Sequence, residues 1–408
     1  MPARALRSMV THCRLVMWSR AAHLSQLLTG FAMLARRGAI RLTQELQDID
    51  YERPEAPSHL RHARREHLLV IVNHSLRVYF DTHDGNEIDP DAIRDCDMYF
   101  KRSFSPSAVP SQFRHKVAPL GLNYEVYGDH FDLHELRRML AFPAYATPRG
   151  KEFAAYLMRI AGLHFGIGMQ LPVSDMQAAP RLDARARVLF IAKAWDPAGV
   201  AGFSPRKAEE RETMNEMRAE CISAMRARLG DRFLGGFQHD EFAARRYPKQ
   251  LLQDSALSRK RTYLRLVRDS AICVTTTGLH GSMGWKLAEY VAFSKAILSE
   301  QLLYKVTGDF GEWNNYLSFS SSGECAERAQ QLLGDLSLRR RLMNNNWTYY
   351  NAYLRPDALV GRAVNAALER RAVTQDLAND STENLILRPS LMASSTRRAS
   401  KSSAKTAT

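Results

Sequence analysis

The sequence predicts an α/β protein built from two doubly wound units that face each other across a cleft. Apolar runs that suit strands alternate with amphipathic helical stretches, and the alternation begins again near residue 187. At 408 residues the chain is long enough for two medium-sized domains. A glycine-rich loop lies between a strand pattern and a helix pattern within residues 271–300, which is typical of a βαβ unit in a parallel sheet.

The first unit, predicted over residues 10–175, opens as strand, helix and strand. Residues Cys13–Ser19 form the first strand pattern, and apolar side chains at three- and four-residue spacing predict a helix over His23–Gly38. Gly38 suits the end of that helix because glycine readily adopts the left-handed conformation. Strand patterns follow at Ala39–Leu46, His67–Asn73, Leu76–Thr82, Met98–Phe100 and Lys116–Leu122, and helical patterns at His130–Leu140 and Lys151–Leu163.

A linker is predicted between Gly166 and Arg185, where the stretch PVSDMQAAPRLDA combines proline with small and polar residues. The second unit, predicted over residues 186–372, begins with the strand pattern Arg187–Trp195 and the long amphipathic helix Glu209–Leu229. Further strand patterns lie at Arg232–Phe237, Ala271–Val274, Ala296–Leu298 and Asn315–Phe319, and helical patterns at Ser258–Ser270, Trp285–Phe293, Ser322–Asp335 and Leu336–Leu354, with a last helix to about Arg370.

A net charge of +14 favours anionic partners such as phosphate groups, acidic lipid headgroups or nucleic acid. No zinc-finger, RRM or helix-turn-helix signature accompanies the charge, so a nucleic-acid partner is not expected. Basic residues of the first unit, among them Arg36, Arg37, Arg64 and Arg65, suggest peripheral contact with an anionic membrane. Residues 381–408 are rich in Ser, Thr, Ala, Arg and Lys and lack aromatic residues, so they are predicted to form a disordered basic tail.

The cysteines and the hydropathy of the chain indicate its cellular compartment. Five scattered cysteines without a CxxC pair predict neither a disulfide framework nor a zinc site. No apolar run approaches the roughly 20 residues that a membrane span needs. A cytoplasmic location is therefore expected.

The most informative segment contains the glycines Gly278, Gly281 and Gly284, which stand directly before a helix pattern. Glycine lets backbone N–H groups approach a ligand closely, and a helix N-terminus attracts negative charge. A phosphate group is therefore the expected ligand of this loop. Glu289, one turn into the helix, is placed to reach hydroxyl groups beside that phosphate.

This loop and the segment LAEYVAFSKAILSE that follows it, on a chain with two such units, resemble the nucleotide-sugar glycosyltransferases of the GT-B fold, of the type that builds bacterial surface polysaccharides. The resemblance implies that the donor binds the C-terminal domain, where Glu289 would hold the ribose hydroxyls. It also implies that His280, Gly281 and Ser282 hold the diphosphate, with Lys286 in the same motif. The chain departs from the paired-glutamate form of these enzymes, because Gly281 stands eight residues before Glu289.

Lys193 ends the first strand pattern of the second unit. A cation at the carboxyl edge of a parallel sheet points into the cleft. The resemblance implies that such a cation offsets the charge of the departing diphosphate, so that neither a metal ion nor a cofactor besides the donor is expected. A lysine in solvent at the end of a strand is the alternative.

Candidate acceptor-side residues lie in the segment FDTHDGNE at the end of a strand pattern. Asp81 and His83 are predicted to act as a general base or to bind sugar hydroxyls, whereas Asp84 is expected to belong to a turn. Arg20 and His23, after the first strand, also face the expected cleft.

The predicted function is the transfer of a hexosyl or related sugar from a nucleotide diphosphate sugar to a glycan or lipid-linked acceptor. Two alternatives remain open. One is a non-catalytic binding or scaffold protein of the same fold. The other is an α/β hydrolase that uses Ser282, since HGSMG lies between a strand and a helix as a nucleophile elbow does.

Overall fold

A computed structural model describes residues 10–19, 21–46, 66–129, 171–181, 185–198 and 205–374. Several predicted features lie outside the described residues: Arg20, Arg64 and Arg65, the helices predicted at 130–140 and 151–163, part of the linker and the tail at 381–408. None of the helices that the structure describes is both long and apolar enough to cross a membrane.

The first sheet has six strands, which are β1 (Thr11–Met17), β2 (Ile40–Leu46), β3 (His67–Val72), β4 (Leu76–Asp81), β5 (Met98–Lys101) and β6 (Val117–Pro119). Their order across the sheet is β2-β1-β3-β4-β5-β6. Strand β3 runs antiparallel to both of its neighbours, and the remaining pairs are parallel. Helix α1 (Ser25–Arg36) connects β1 to β2 as predicted, and α2 (Pro90–Asp95) precedes β5.

The second sheet is entirely parallel. Its strands are β7 (Arg185–Ala192), β8 (Phe233–Phe237), β9 (Ser270–Thr275), β10 (Ala296–Glu300) and β11 (Tyr316–Phe319), in the order β11-β10-β9-β7-β8. The helices described around it are α3 (Pro205–Leu229), α4 (Glu241–Arg246), α5 (Lys260–Asp269), α6 (Trp285–Ala292), α7 (Ser322–Gly334) and α8 (Leu336–Tyr349).

Both faces of each sheet are covered. In β7, Val188 and Phe190 pack into one apolar cluster, and the alternate residues Leu189 and Ile191 pack into another on the opposite face. A strand buried on both faces is continuously apolar, which is why the sequence of β7 is so clear a strand pattern. The structure confirms the predicted fold class of two Rossmann-like, doubly wound units facing a cleft, although the antiparallel β3 makes the first sheet mixed.

The strand order of the second sheet fixes where a ligand can bind. From β7 the chain first adds β8 on one side and then returns to add β9 on the other. This reversal is a topological switch point, where the loops leaving two neighbouring strands diverge and open a crevice at their carboxyl ends. The residues after β7 and β9 therefore form the natural floor of a binding site.

The C-terminal helix α9, at residues 356–374, returns to the first unit. Val360 and Val364 share an apolar cluster with Phe31 of α1 and with the first sheet. The domain bounds 10–175 and 186–372 stay predictions, but this helix packs on the first sheet and not on the second. The sequence did not indicate that this helix returns to the first unit, because the apolar spacing of a helix does not show which surface it packs against.

At Gly30, α1 lies in close contact with α9. A Cβ atom on Gly30 would lie 2.2 Å from the carbonyl oxygen of Pro356 and 2.7 Å from Cγ2 of Val360. Gly30→Ala should therefore force the helices apart and lower the free energy of unfolding by about 1–3 kcal/mol in urea denaturation. Gly361→Ala is the matched control, because its Cβ would meet Leu34 at an ordinary 3.9 Å. The control should be neutral or stabilising by up to about 1 kcal/mol, and equal losses in both variants would contradict the prediction.

Candidate functional site

A cavity of about 730 Å³ lies where the switch point of the second sheet faces the first unit. The first unit contributes His23, Asp84 and Arg102 to its wall, and the second unit contributes the rest. Cations outnumber carboxylates in the wall, which favours a polyanionic ligand. The cations are Arg102, Lys193, Arg218, Arg259, Lys260 and Lys286, and the carboxylates are Asp84 and Glu289.

Arg218 of α3 joins the two loops at the switch point. Its Nη1 donates to the carbonyl of Lys193 at 2.8 Å, its Nε to Oγ1 of Thr276 at 2.8 Å and its Nη2 to the carbonyl of Thr277 at 3.0 Å. Burial lowers the pKa of this guanidinium to about 10, and the Glu300 carboxylate opposes that shift. Arg218 could not be predicted from the sequence, because an arginine within a long charged helix has no distinguishing pattern.

The loop after β9 is held at several points. Thr277 donates from its amide and its hydroxyl to Glu300 at 2.7 and 2.9 Å. His280 and Gly281 both take the left-handed conformation, with φ of 61° and 62°. The amide of Gly278 donates to the carbonyl of Ser282 at 2.8 Å and closes the turn. A loop fixed in this way presents a preformed surface to the cavity.

The predicted phosphate-binding residues divide into two groups. Ser282 is buried and lines the cavity together with Gly278 and Gly284. His280 is exposed, its amide donates to Glu210, and neither His280 nor Gly281 is among the described wall residues. Their part in binding stays a prediction.

Helix α6 contributes the two charged residues of the predicted motif. Lys286 lies in the wall and donates to the carbonyl of Ile191, and burial together with the nearby Arg218 lowers its pKa to about 8. Glu289 is buried in the wall and forms an ion pair with Lys260 of α5. The carboxylate predicted to hold ribose hydroxyls is thus at the cavity, but it is already partnered by a lysine.

Lys193 lies at the carboxyl end of β7, in the cavity wall and exposed. Its ammonium sits 4.5 Å from the ring centroid of Trp195, which also lines the cavity. The predicted position at the sheet edge is therefore the observed one. The ring holds the ammonium at the wall without neutralising it.

Asp81 was predicted to contact an acceptor, but the structure encloses it within the first unit. Tyr99 donates to its carboxylate at 2.5 Å and Lys101 at 2.9 Å, and His67 lies 3.2 Å away. Burial alone would raise the pKa of Asp81, but Lys101 and His67 hold it well below its usual range. The carboxylate also accepts from the amide of His83 at 2.9 Å. Asp81 therefore positions the loop that follows it.

That loop brings His83 and Asp84 to the cleft. The ring of His83 lies 6.5 Å from that of His280, so residues of the two units face each other as expected. Asp84, expected only in a turn, lines the cavity and is paired with Arg102. Arg102 also donates to the carbonyl of Met283 at 2.8 Å and so ties the first unit to the glycine loop.

His23 and Glu66 form a half-buried pair at the same end of the cavity, with Nδ1 and Oε1 3.2 Å apart. His23 lines the cavity as expected. Burial, reinforced by Asp84 and opposed by Arg102, raises the pKa of Glu66 to about 7. Burial also lowers the pKa of His23 to about 4, with Arg102 acting in the same direction. Glu66 was missed because it precedes a strand and belongs to no motif.

The raised pKa of Glu66 predicts a specific dependence of stability on pH. The folded state favours the protonated carboxyl, so its contribution is complete below the unfolded pKa of 4.5 and is lost as the pH rises through about 7. Glu66→Gln keeps the shape without the charge. Its free energy of unfolding relative to wild type should therefore rise between pH 4.5 and 7 by about 2–3 kcal/mol and then stay level.

Urea denaturation at several pH values measures this difference. Glu327→Gln, on the exposed surface, is the control and should show no such rise. A constant difference between the Glu66→Gln variant and wild type across this range would contradict the assignment.

Comparison with known proteins finds solved structures of low identity and low TM-score. No protein-family model and no curated protein sequence matches the chain. Anabaena HepE in complex with UDP-glucose matches at 10% identity and a TM-score of 0.39, over 88% of this chain and 100% of that one. A glycosyltransferase from Rickettsia africae matches at 9% identity and 0.37, over 85% and 81%. The S. aureus MnaA–UDP structure matches at 11% and 0.33, over 86% and 72%. Similarities of this size do not assign an activity to this chain.

Proposed function

We propose that this chain is a glycosyltransferase that moves a hexosyl or related sugar from a nucleotide diphosphate sugar to a glycan or lipid-linked acceptor without a metal ion. The observation that carries the proposal is the cation-lined cavity at the switch point of a parallel sheet, closed on its other side by a second α/β unit. A departing nucleoside diphosphate gains negative charge as the glycosidic bond breaks. Fixed cations in a partly dry site stabilise that charge.

The donor side follows from the cavity wall. Lys193 and Lys286 are proposed to face the diphosphate, together with Ser282 and the backbone of the loop that includes His280 and Gly281. Glu289 is proposed to accept hydrogen bonds from the ribose hydroxyls, with Lys260 keeping its carboxylate ionised and oriented. The nucleoside diphosphate is a substrate in this scheme, and no separate cofactor is invoked.

The acceptor side belongs to the first unit. His83 Nδ1 accepts from the amide of Gly85 at 3.1 Å, so in the neutral ring Nε2 carries the proton and can donate a hydrogen bond but not accept one. His23 can take the acceptor proton at Nε2, because Glu66 lies against Nδ1, although burial and Arg102 lower the pKa of this imidazole to about 4 and make it a weak base. We therefore assign His83 to hydroxyl binding, Asp81 to positioning it and His23 to proton transfer.

Peripheral contact with an anionic membrane is proposed as the way a lipid-linked acceptor is reached. One of the arginines that suggested this contact contributes less charge than expected, because Arg37 is paired with the buried Asp357. Arg36 remains a candidate contact.

The hydrolase alternative lacks its required geometry. A nucleophile elbow strains the backbone at the nucleophile itself. Ser282 has a relaxed, extended conformation with φ of −69° and ψ of 153°, and the left-handed residues are His280 and Gly281. The scaffold alternative predicts no turnover of any nucleotide sugar.

Glu289→Ala tests the donor site. Calorimetry with UDP, GDP, CDP and ADP identifies the nucleotide, which is then compared with its 2′,3′-dideoxy analogue. Wild type should bind the ribose form about 10- to 100-fold more tightly, since each charge-assisted hydrogen bond contributes about 1.5–3 kcal/mol. Glu289→Ala should lose this discrimination, whereas Glu216→Ala, outside the cavity, should retain it. Equal discrimination in wild type and Glu289→Ala would remove Glu289 from the ribose site. The comparison of two nucleotides also cancels any effect of freeing Lys260.

Lys193→Ala tests the transfer step. The charge on the leaving group grows in the transition state. The variant should therefore cleave the bond between the sugar and the nucleoside diphosphate roughly 100-fold more slowly, measured as formation of nucleoside diphosphate. Its affinity for the donor should change much less. Lys249→Ala, an exposed lysine elsewhere, is the control. Equal losses of affinity and rate would show that Lys193 stabilises the bound donor as much as the transition state, and would contradict the prediction.

A further inference from the structure

We infer that Glu300 is a positioning residue of the proposed donor site, and that it acts on the ligand through the backbone of the glycine loop. The inference rests on the proposed function. Thr276 and Gly278, on either side of Thr277, line the cavity, whereas neither Glu300 nor Thr277 is among the described wall residues. The carboxylate therefore holds the loop from behind and leaves the cavity itself to the ligand.

Glu300 stands on a rigid part of the second sheet. It is the last residue of β10, which lies between β9 and β11. Its backbone pairs with that of Phe319 in β11, and the preceding Ser299 pairs with Thr275 in β9. Neighbouring parallel strands end at the same edge of a sheet, so Glu300 lies beside the start of the loop that follows β9. Its position is set by the sheet and does not depend on a ligand.

Thr277 is held from two sides by groups of opposite charge. Its amide and its hydroxyl donate to Oε2 of Glu300 at 2.7 and 2.9 Å. Its carbonyl accepts from Nη2 of Arg218 at 3.0 Å, and Nε of the same guanidinium donates to the hydroxyl of Thr276 at 2.8 Å. Hydrogen bonds to charged groups are stronger than those between neutral groups. The first residues of the loop are therefore fixed in one conformation.

The carboxylate of Glu300 also balances the guanidinium on the other side of Thr277. Burial lowers the pKa of Arg218 to about 10, and the charge of Glu300 acts in the opposite direction. A buried cation is unfavourable unless a negative charge compensates it. Because Glu300 supplies that charge from behind the loop, Arg218 can line the cavity without a carboxylate standing between it and the ligand.

Calorimetry with UDP, GDP, CDP and ADP tests the inference through the affinity for the preferred nucleotide. Glu300→Ala removes the acceptor of both Thr277 donors. The loop then spends only part of its time in the binding conformation, so affinity should fall about tenfold or more. Glu300→Gln keeps a side-chain carbonyl oxygen that can accept the same hydrogen bonds, and its affinity should stay within about threefold of wild type.

Glu312→Ala is the matched control. It removes an exposed carboxylate that accepts from the hydroxyl of Ser318 in the neighbouring strand β11, and Glu312 is not among the described wall residues. The control should bind the nucleotide as wild type does. Urea denaturation of every variant shows that the protein is folded at the temperature of the titration, because a loss of stability alone leaves the affinity of the folded protein unchanged.

Thr277→Val provides a second test that leaves Glu300 in place. It removes the hydroxyl donor and keeps the amide and the shape of the side chain, so affinity should fall about 2- to 5-fold. Added to Glu300→Ala, it should weaken binding no further, because the hydroxyl has already lost its acceptor.

Wild-type affinity in Thr277→Val and Glu300→Ala would overturn the inference. Equal losses in Glu300→Ala and Glu300→Gln would overturn it too, because they would assign the effect to the charge and not to the position of the loop. If Glu300→Ala does not fold, Thr277→Val decides by itself. If wild type binds none of the nucleotides, the proposed function fails and the inference fails with it. If wild type binds and the variants do not differ from it, the inference alone fails.

Discussion

The candidate site depends on the guanidinium of Arg218, which joins the ends of β7 and β9. All three of its hydrogen-bond acceptors are uncharged oxygens, two backbone carbonyls and one hydroxyl. An arginine held in this way satisfies its donors without losing its charge to a direct carboxylate partner. Burying such a cation is unfavourable by itself, and its lowered pKa records that cost. The same cost makes the binding of an anionic ligand favourable, since the negative charge of the ligand compensates the buried guanidinium.

The two units are joined at the cavity and away from it. Away from the cavity, Thr307 donates to the carbonyl of Pro119 at 2.6 Å, and α9 packs on the first sheet. At the cavity, Arg102 donates to the carbonyl of Met283. The distant contacts hold the units together whether or not a ligand is present. The Arg102 contact has a further consequence, because it sets the glycine loop against the residues that would hold the acceptor.

The sequence indicated the second sheet best, because its fully buried parallel strands are continuous apolar runs and its glycine loop needs unusual backbone angles. The antiparallel β3 was not determined by its sequence, since a buried strand has the same pattern in either direction. The position at which β4 ends explains why Asp81 and Asp84 of the segment FDTHDGNE differ from their predicted roles. Asp81 still belongs to the strand and turns inward to Lys101, whereas Asp84 lies beyond it and reaches the cavity. Arg218 and Glu66 could not be predicted, because only tertiary contacts distinguish them from solvated charges.

The cavity wall presents both an exposed lysine and a lysine that is already paired with a carboxylate. Lys193 is exposed, whereas Lys260 is engaged by Glu289. Lys286 is half-buried, and with a pKa of about 8 it remains mostly protonated at neutral pH. A diphosphate entering beside Lys193 and Lys286 would strengthen the protonation of Lys286. Under the proposed donor site, Lys260 would meanwhile keep the buried Glu289 carboxylate ionised for the ribose hydroxyls. The phosphate and the ribose of one ligand would then meet different lysines, a division that a wall of cations without carboxylates could not provide.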